Sequence, residues 1–278
     1  MFIMSKKIAI QGFKGCFHQE AAQHFFGKSV QVICCASFRE VVKIAASAKE
    51  SDGGIMAIEN SIAGSILPNY NLLQKSNLTI VGEVYLQIKQ NLLVNPGVTL
   101  SDIKEVHSHP MAIQQCLTFL DKYNWKLVET EDTALSAKHI HQHKSKHIAA
   151  IASKLAGNIY QLQNIAPSIH TLKNNYTRFL VLQKQEVEND IEAADKASIY
   201  FNTDHSKGSL AKVLTKIADE GINLSKLQSM PIQGSDFKYA FHADVEFENK
   251  KHLNKVIKKI QPLTQALKIL GVYKNAKK

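Results

Sequence analysis

Apolar positions along the chain fall into short continuous runs followed by stripes at helical spacing, which is how strands alternating with helices read in sequence. Lys7–Ile10 is the first run. It enters the glycine turn Gln11-Gly12-Phe13-Lys14-Gly15-Cys16, and a helix is predicted from about Phe17 to Phe26. Val30–Cys34 predicts the next strand, and Phe38, Val41, Val42 and Ala45 form a helical stripe. Gly53-Gly54 is expected to break the chain before a buried strand, Ile55–Ile58, with a helix following over about Ile66–Leu73. Leu78–Val84 and Gln87–Val94 read as two strands where the chain crosses between lobes, and Asn95-Pro96-Gly97 is a turn. Val106 leads into His107-Ser108-His109-Pro110 and a helix with Ala112, Cys116, Phe119 and Leu120 on one face; proline suits a first helical turn. Trp125–Thr130 and His147–Ile151 read as strands flanking a further helix.

After the polar, acid-rich stretch 183–196 the rhythm changes. Ala197–Asn202 predicts a strand, and Leu210, Val213, Leu214, Ile217 and Ala218 a helix that Gly221 ends. Strands are predicted at Asn223–Pro231 and Tyr239–Phe247, a helix at about Lys251–Ile260 and a strand at Ala266–Tyr273. The order βαββαβ is that of a ferredoxin-like unit. The whole therefore reads as an α/β chain of two domains joined by a linker.

Composition narrows the class. The 278 residues are 45% hydrophobic, enough for real cores, and no apolar stretch approaches a bilayer span. Met1–Lys7 lacks the apolar core of a secretory leader. Cys16, Cys34, Cys35 and Cys116 make neither a zinc pattern nor a disulfide framework, so a reducing cytoplasm is expected. The net charge of +10 is uneven: residues 196–278 hold 15 lysines against 7 acids, leaving +2 for the rest. Those lysines are dispersed, without interleaved aromatics, and read as a solvated surface in preference to a nucleic-acid face.

The candidate chemistry lies at strand ends. Glu59-Asn60-Ser61 follows a buried strand, where open α/β sheets bind ligands; the same residues also suit a plain helix start capped by Ser65. Asn174-Asn175-Tyr176-Thr177-Arg178-Phe179 sets amides, a hydroxyl and a guanidinium at the mouth of another strand, whose alternation sends Thr177 and Phe179 to one side and Arg178 to the other. Arg178 and Arg39 are the chain's two arginines; Arg178 reads either as a fork placed for a carboxylate or as a strand-edge partner of an acid. Ser108 either caps the helix after Pro110 or holds a ligand, and His109 reads as a structural or a catalytic histidine. His139, His143 and His147 recur at helical spacing as a zinc stripe would, but no carboxylate is placed to orient a ring and His147 opens a strand.

Taken in order, Ile8–Gly12 with Ala21-Ala22, Ala57–Ser61 with Gly64, Ser108-His109-Pro110 with Gln114 and Cys116, Thr130–Ala134, and Asn175–Phe179 resemble the motifs of the prephenate dehydratase family. The resemblance implies decarboxylating dehydration of prephenate to phenylpyruvate for phenylalanine synthesis, on a two-lobed, periplasmic-binding-protein-like catalytic domain over residues 1–184, crossing near 84 and 169. It implies a linker at 185–195 and an ACT regulatory domain, the ferredoxin-like unit, at 196–275. Thr177 stands at the family's catalytic threonine, with Glu59 or Glu131 as proton source. Arg178, Asn60, Ser61, Ser108, His109, Gln114, Thr133, Asn175, Phe179, Gly15 and Cys16 are the implied substrate contacts. No metal or organic cofactor is implied. L-phenylalanine is the implied effector, at Gly208-Ser209-Leu210-Ala211 and Gln228-Ser229-Met230-Pro231; the latter stands where the family has Glu-Ser-Arg-Pro and so lacks a charge pair. Cys16 and His18 replace small hydroxyls, the histidine introducing a group that can titrate. A homodimer or homotetramer is implied, and a fused chorismate mutase is not expected, as no such helix precedes the first motif. The rivals are an arogenate dehydratase and a non-catalytic amino-acid-binding regulator.

Overall fold

The computed structural model describes residues 5–184, 193–232, 234–236 and 238–277. Most of the expected linker, 185–192, lies outside the described residues. β1 (Lys7–Gln11) buries Ile8, Ala9 and Ile10 completely, as a strand covered on both faces does. It leads to α1 (Phe17–Phe26), β2 (Gln31–Cys35), α2 (Phe38–Ala45) and β3 (Gly53–Asn60), with β1 parallel to both neighbours. Gly53-Gly54 does not interrupt the chain ahead of this strand but begins it. A Cβ on Gly54 would stand 3.0 Å from Ala45 and 3.1 Å from Val41, so the missing side chain lets α2 lie close on the sheet.

β4 (Gly64–Ser65) folds back on β3 before α3 (Leu67–Lys75). Ser65 does not cap α3; Ile66 takes that position. β5 (Leu78–Gln87) is one ten-residue strand where two runs suggested a break near 84, and the crossing comes after it. β6 (Asn91–Val94), β7 (Glu105–Ser108), α4 (Pro110–Gln115), α5 (Leu117–Leu120), β8 (Lys126–Glu129), α6 (Thr133–Gln142), β9 (Ile148–Ala152), α7 (Lys154–Ile159) and β10 (Gln163–Ala166) build a second sheet in the order β10-β6-β9-β7-β8. The expected single helix after Pro110 breaks at Cys116 into α4 and α5. The chain then returns through β11 (Tyr176–Lys184), which lies antiparallel between β3 and β5 in the first sheet.

The last segment is β12 (Lys196–Asn202), α8 (Ser209–Asp219), β13 (Asn223–Pro231), β14 (Tyr239–Glu246), α9 (Lys250–Ile260) and β15 (Ala266–Tyr273). Its strands lie in the order β13-β14-β12-β15, with α8 and α9 over one apolar face. β15 meets β5 through the pair Gly271–Ile80, so the first sheet and the C-terminal sheet form one ten-stranded sheet.

The two sheets of the N-terminal part are held against each other. Ile8, Ile10 and Phe179 from the first, with Ala22 of α1, share a core with Leu93, Ala150 and Ala152 from the second. The turn after β1 is pinned to α7: Ser153 Oγ donates to the Gly15 carbonyl at 2.6 Å and Tyr160 Oη to that of Lys14 at 2.8 Å. A cleft remains where the strand ends of both sheets face each other.

Candidate active site

The cleft encloses about 290 Å³. Its polar lining includes Gln11, His18, Asn60, Gln90, His109, Gln115, Glu131, Asp132, Thr133 and Thr177, and Phe17, Phe38 and Phe179 supply aromatic wall. Two helices open onto it, α1 beside Cys16–His18 and α6 beside Asp132-Thr133, so their positive ends face the cavity. Among the described residues no lysine or arginine lines it.

Thr177 occupies the floor. Cross-strand neighbours share a face, and Thr177 pairs with Asn60 of β3. The Asn60 Nδ2 group donates to Thr177 Oγ1 at 3.0 Å, to Asn175 Oδ1 at 2.7 Å and to the Tyr176 carbonyl at 3.2 Å. Asn60 Oδ1 accepts from the N–H groups of Ile62 and Ala63, which fixes which end of the amide is which. Thr177 therefore receives a hydrogen bond from behind, and its own hydroxyl hydrogen is left for the cavity. Asn175, fully buried, continues the chain of amides by donating to Gln115 Oε1 at 3.0 Å.

His18 packs edge-on against Phe179, ring centroids 5.0 Å apart, and its Nε2 accepts from the Ala57 N–H at 3.3 Å. Burial lowers it from 6.5 to about 3, so it stands neutral at neutral pH and does not bring the titrating group that its sequence position suggested. The Cys16 thiol is pushed far up, first by burial and then by Asp132, and donates weakly to the Gln11 carbonyl. Asp132 caps α6 through Leu135 N–H at 2.8 Å, and burial raises its carboxyl. Its Oδ2 lies over Gly12, 2.8 Å from where a Cβ would stand, at a backbone φ of +102° that also favours glycine.

Of the residues expected at the site, Thr177, Asn60, Glu131, His109, Thr133, Phe179 and Cys16 converge on this cleft. Others do not. Arg178 points to the opposite face of β11, where its Nε donates to Glu83 at 2.7 Å, its Nη1 pairs with Asp244 and its Nη2 donates to Tyr273 at 3.0 Å. Lys196 completes this buried cluster on Glu83 at 2.9 Å. Glu59 shares that face and pairs with Lys226 of β13, whose Nζ also donates to Ser65 at 2.8 Å. Neither residue is a cleft group, because the strand alternation that presents Thr177 and Asn60 turns their neighbours away. Ser108 neither caps nor faces the cavity: fully buried, it donates to the Ile151 carbonyl at 2.6 Å, and His109 takes the N-cap position. Ser61 ties the loop to Asn174 and Tyr176. Gln114 is out of phase by one residue; Gln115 lines the cleft instead, and Gln114 lines a neighbouring groove. Gly15 serves the junction of the two sheets, since a Cβ there would stand 2.7 Å from Ala156. Sequence reasoning passed over Gln11, Gln90, Gln115 and Asp132; the polar pair Gln90-Asn91 directly before the apolar residues Leu92–Val94 was the available signal for Gln90. The histidine stripe disperses: α6 ends at Gln142, His143 bonds back to the His139 carbonyl and His147 to that of Asp102.

A second cavity of about 560 Å³ opens between α8 and the strands of the C-terminal segment. Gly208, Ser209, Leu210, Ala211 and Ser229 line it together with Thr203, His205 and Tyr239. Gln228 donates to the Ser229 carbonyl, Met230 is buried in the core behind the sheet, and neither they nor the exposed Pro231 line the cavity.

A family model described as prephenate dehydratase matches residues 8–187. The bifunctional chorismate mutase/prephenate dehydratase of Enterobacter agglomerans is 32% identical over 272 residues, covering 96% of this chain and 70% of that protein. Arogenate dehydratase 2 of Petunia hybrida is 33% identical over 282 residues, covering 96% and 71%. Among solved structures, prephenate dehydratase from Arthrobacter aurescens in complex with L-Phe superposes with a TM-score of 0.86 at 26% identity, over 98% of this chain and 90% of that one. A structure described as GqqA, a novel type of quorum quenching acylases, superposes with a TM-score of 0.89 at 26% identity, over 98% of both chains.

Proposed function

Because the chain belongs to the prephenate dehydratase family, we propose that its cleft converts prephenate to phenylpyruvate, carbon dioxide and water. The observation that carries this reading is the Thr177 hydroxyl, hydrogen-bonded from behind by Asn60 and left to donate into a partly aromatic cavity. In the reaction, the bond from ring to carboxylate breaks and its electron pair moves through the diene to expel the hydroxyl on the opposite carbon. Thr177 donates to that departing oxygen. A threonine is a weak acid on its own, so the proton it passes on comes from the cleft carboxyls: Glu131, or Asp132, whose carboxyl burial raises toward the protonated form. With Arg178 facing away, the substrate's carboxylates meet the starts of α1 and α6, His109 and the side-chain amides. That weaker hold suits the carboxylate that must leave, since strong solvation would oppose its loss. Phe179 and His18 flank the ring.

The C-terminal segment supports a regulatory role on this reading. Its strand order fits a ferredoxin-like ACT domain at 196–275 joined to a two-lobed, binding-protein-like catalytic domain at 1–184. The cavity beside α8 suits L-phenylalanine, with Gly208–Ala211 and Ser229 as its contacts. β13 ends the sheet as an open edge, which favours pairing of two copies into a dimer or tetramer. Among the described residues no helix is long and apolar enough to cross a membrane, and a cytoplasmic biosynthetic enzyme is the reading we adopt.

A second reading has a specific observation behind it. Glu131 and Asp132 face a cleft lined, among the described residues, by no lysine or arginine, a charge balance that suits the ammonium of arogenate. An acylase reading has less behind it: burial pushes the Cys16 thiol far up, and the hydrogen-bond partner of the Thr177 hydroxyl is an amide, not a base.

The deciding experiment is turnover of prephenate and arogenate side by side, with and without L-phenylalanine. Thr177→Ala is expected to lower turnover by about 10²-fold or more; retention within a few-fold removes the threonine from the mechanism.

A further inference from the structure

Gln90 sits in the crossing between β5 and β6, with both backbone groups committed: its N–H donates to His170 Nδ1 at 3.3 Å and its carbonyl accepts from Ile169 at 2.8 Å. The side chain is buried and lines the cleft. Its Nε2 donates to Gln115 Oε1 at 3.4 Å, and its Oε1 is buried without any partner among the described residues.

The orientation of that amide is not arbitrary. Backbone N–H groups of Ile62 and Ala63 fix Asn60 Oδ1, so Asn60 presents its NH₂ to Asn175 Oδ1. Asn175 then presents its NH₂ to Gln115 Oε1, and that oxygen in turn takes the NH₂ of Gln90. Each link dictates the next, and the series ends on one acceptor with nothing to accept. A buried acceptor left unpaired carries a desolvation cost that a donor arriving with a ligand removes. The same amide series begins at Thr177, whose hydroxyl is left for the cavity, and it ends on the unpaired, buried acceptor of a side chain in the cavity wall.

Prephenate has two ionised carboxylates, a ketone and one hydroxyl. Its single hydrogen-bond donor is that hydroxyl, the group that leaves. We propose that Gln90 is a catalytic residue that accepts the hydrogen of the leaving hydroxyl while Thr177 donates to the same oxygen. This rests on the dehydration reading above. The arrangement turns a lone pair of the oxygen toward Thr177. As the carbon–oxygen bond breaks, the oxygen keeps its bonding pair, gains one proton through Thr177 and departs as water, its original hydrogen still held by Gln90. That hydrogen grows more positive as the oxygen is protonated, so the bond to Gln90 strengthens toward the transition state.

The test uses the full chain. Gln90→Met keeps size and removes the acceptor; it is expected to lower kcat for prephenate by about ten- to a hundred-fold. Binding is read separately in the Thr177→Ala background by calorimetry, with prephenate and with an analogue that carries hydrogen in place of the ring hydroxyl. Thr177→Ala is expected to prefer prephenate over the analogue by about ten-fold or more, and Thr177→Ala/Gln90→Met to bind both alike. Equal binding of the two ligands by Thr177→Ala itself overturns the proposal, whether or not the Gln90 variant folds. Turnover by Gln90→Met within two-fold of the unaltered protein overturns it as well, and so does an equal loss of affinity for both ligands. Failure of the unaltered protein to turn over prephenate is a different result: it removes the dehydration reading on which the proposal stands.

Discussion

Single residues in this chain act through the direction in which the backbone points them. Thr177, Arg178 and Phe179 are consecutive, yet the first and third line the cleft while the second is buried in an ion cluster with Glu83 and Asp244. Strand alternation alone foretells that split, and the error of expecting Arg178 on the substrate came from weighing its chemistry above its phase. His18 teaches the converse lesson, since its environment decides its charge. Burial lowers it to about 3 in the fold, while an exposed histidine in the unfolded chain stands near 6.5. The unfolded state therefore binds the extra proton, and stability is lost as pH falls from about 6.5 toward 3. His18→Gln is expected to flatten the part of that acid loss which His18 supplies, measured as melting temperature against pH. An unchanged slope shows that the imidazole is not held neutral as described.

Elements show where pattern reading succeeds and where it slips. α1, β13 and β15 match their expected bounds. β5 does not: antiparallel pairing to β11 along its whole length carries it past Val84 to Gln87, and the second strand begins only at Asn91, as β6. Gly53-Gly54 misled in the same way, since glycine signals a break in sequence but here serves close approach. Gly271 matters most at this scale. A Cβ there would stand 2.1 Å from the Ile80 carbonyl oxygen, at the one registered pair that joins β15 to β5. Gly271→Ala is expected to open that seam and destabilise the protein by about 1–3 kcal/mol, as overpacking does. Chemical denaturation checks it, and an undisturbed midpoint means that the seam has slack.

At the scale of the molecule, the C-terminal segment is not a loosely tethered appendage. Asp244, Lys196 and Tyr273 reach from it to Arg178 and Glu83, and Lys226 reaches to Glu59. Burial pushes the Asp244 carboxyl up, and Arg178 and His242 more than reverse that, holding it well below the ordinary carboxylate range. Removing one partner strands the others in a dry interface. Arg178→Met is expected to cost about 3–5 kcal/mol of stability. The Michaelis constant for prephenate should hold within a few-fold at a temperature where the variant stays folded, because the guanidinium faces away from the cleft. A large rise in that constant without loss of stability restores Arg178 to the substrate. Because Thr177 and Asn60 each adjoin a residue of this interface, strain in the C-terminal segment has a short path to the cleft.

The sequence by itself determined the alternation of strands and helices, the change of rhythm near 190, the family motifs and the identity of Thr177, because periodicity and motif order are local properties. Only the tertiary structure decided that Arg178 and Glu59 bind the C-terminal segment, that Ser108 is a core residue and that Gln115 replaces Gln114 at the cleft. It alone also revealed that Gln90 ends a series of amides with an acceptor to spare. Those outcomes depend on which face of a strand meets which neighbour, and on whether a buried polar atom finds a partner from far along the chain. Neither is fixed until distant segments pack.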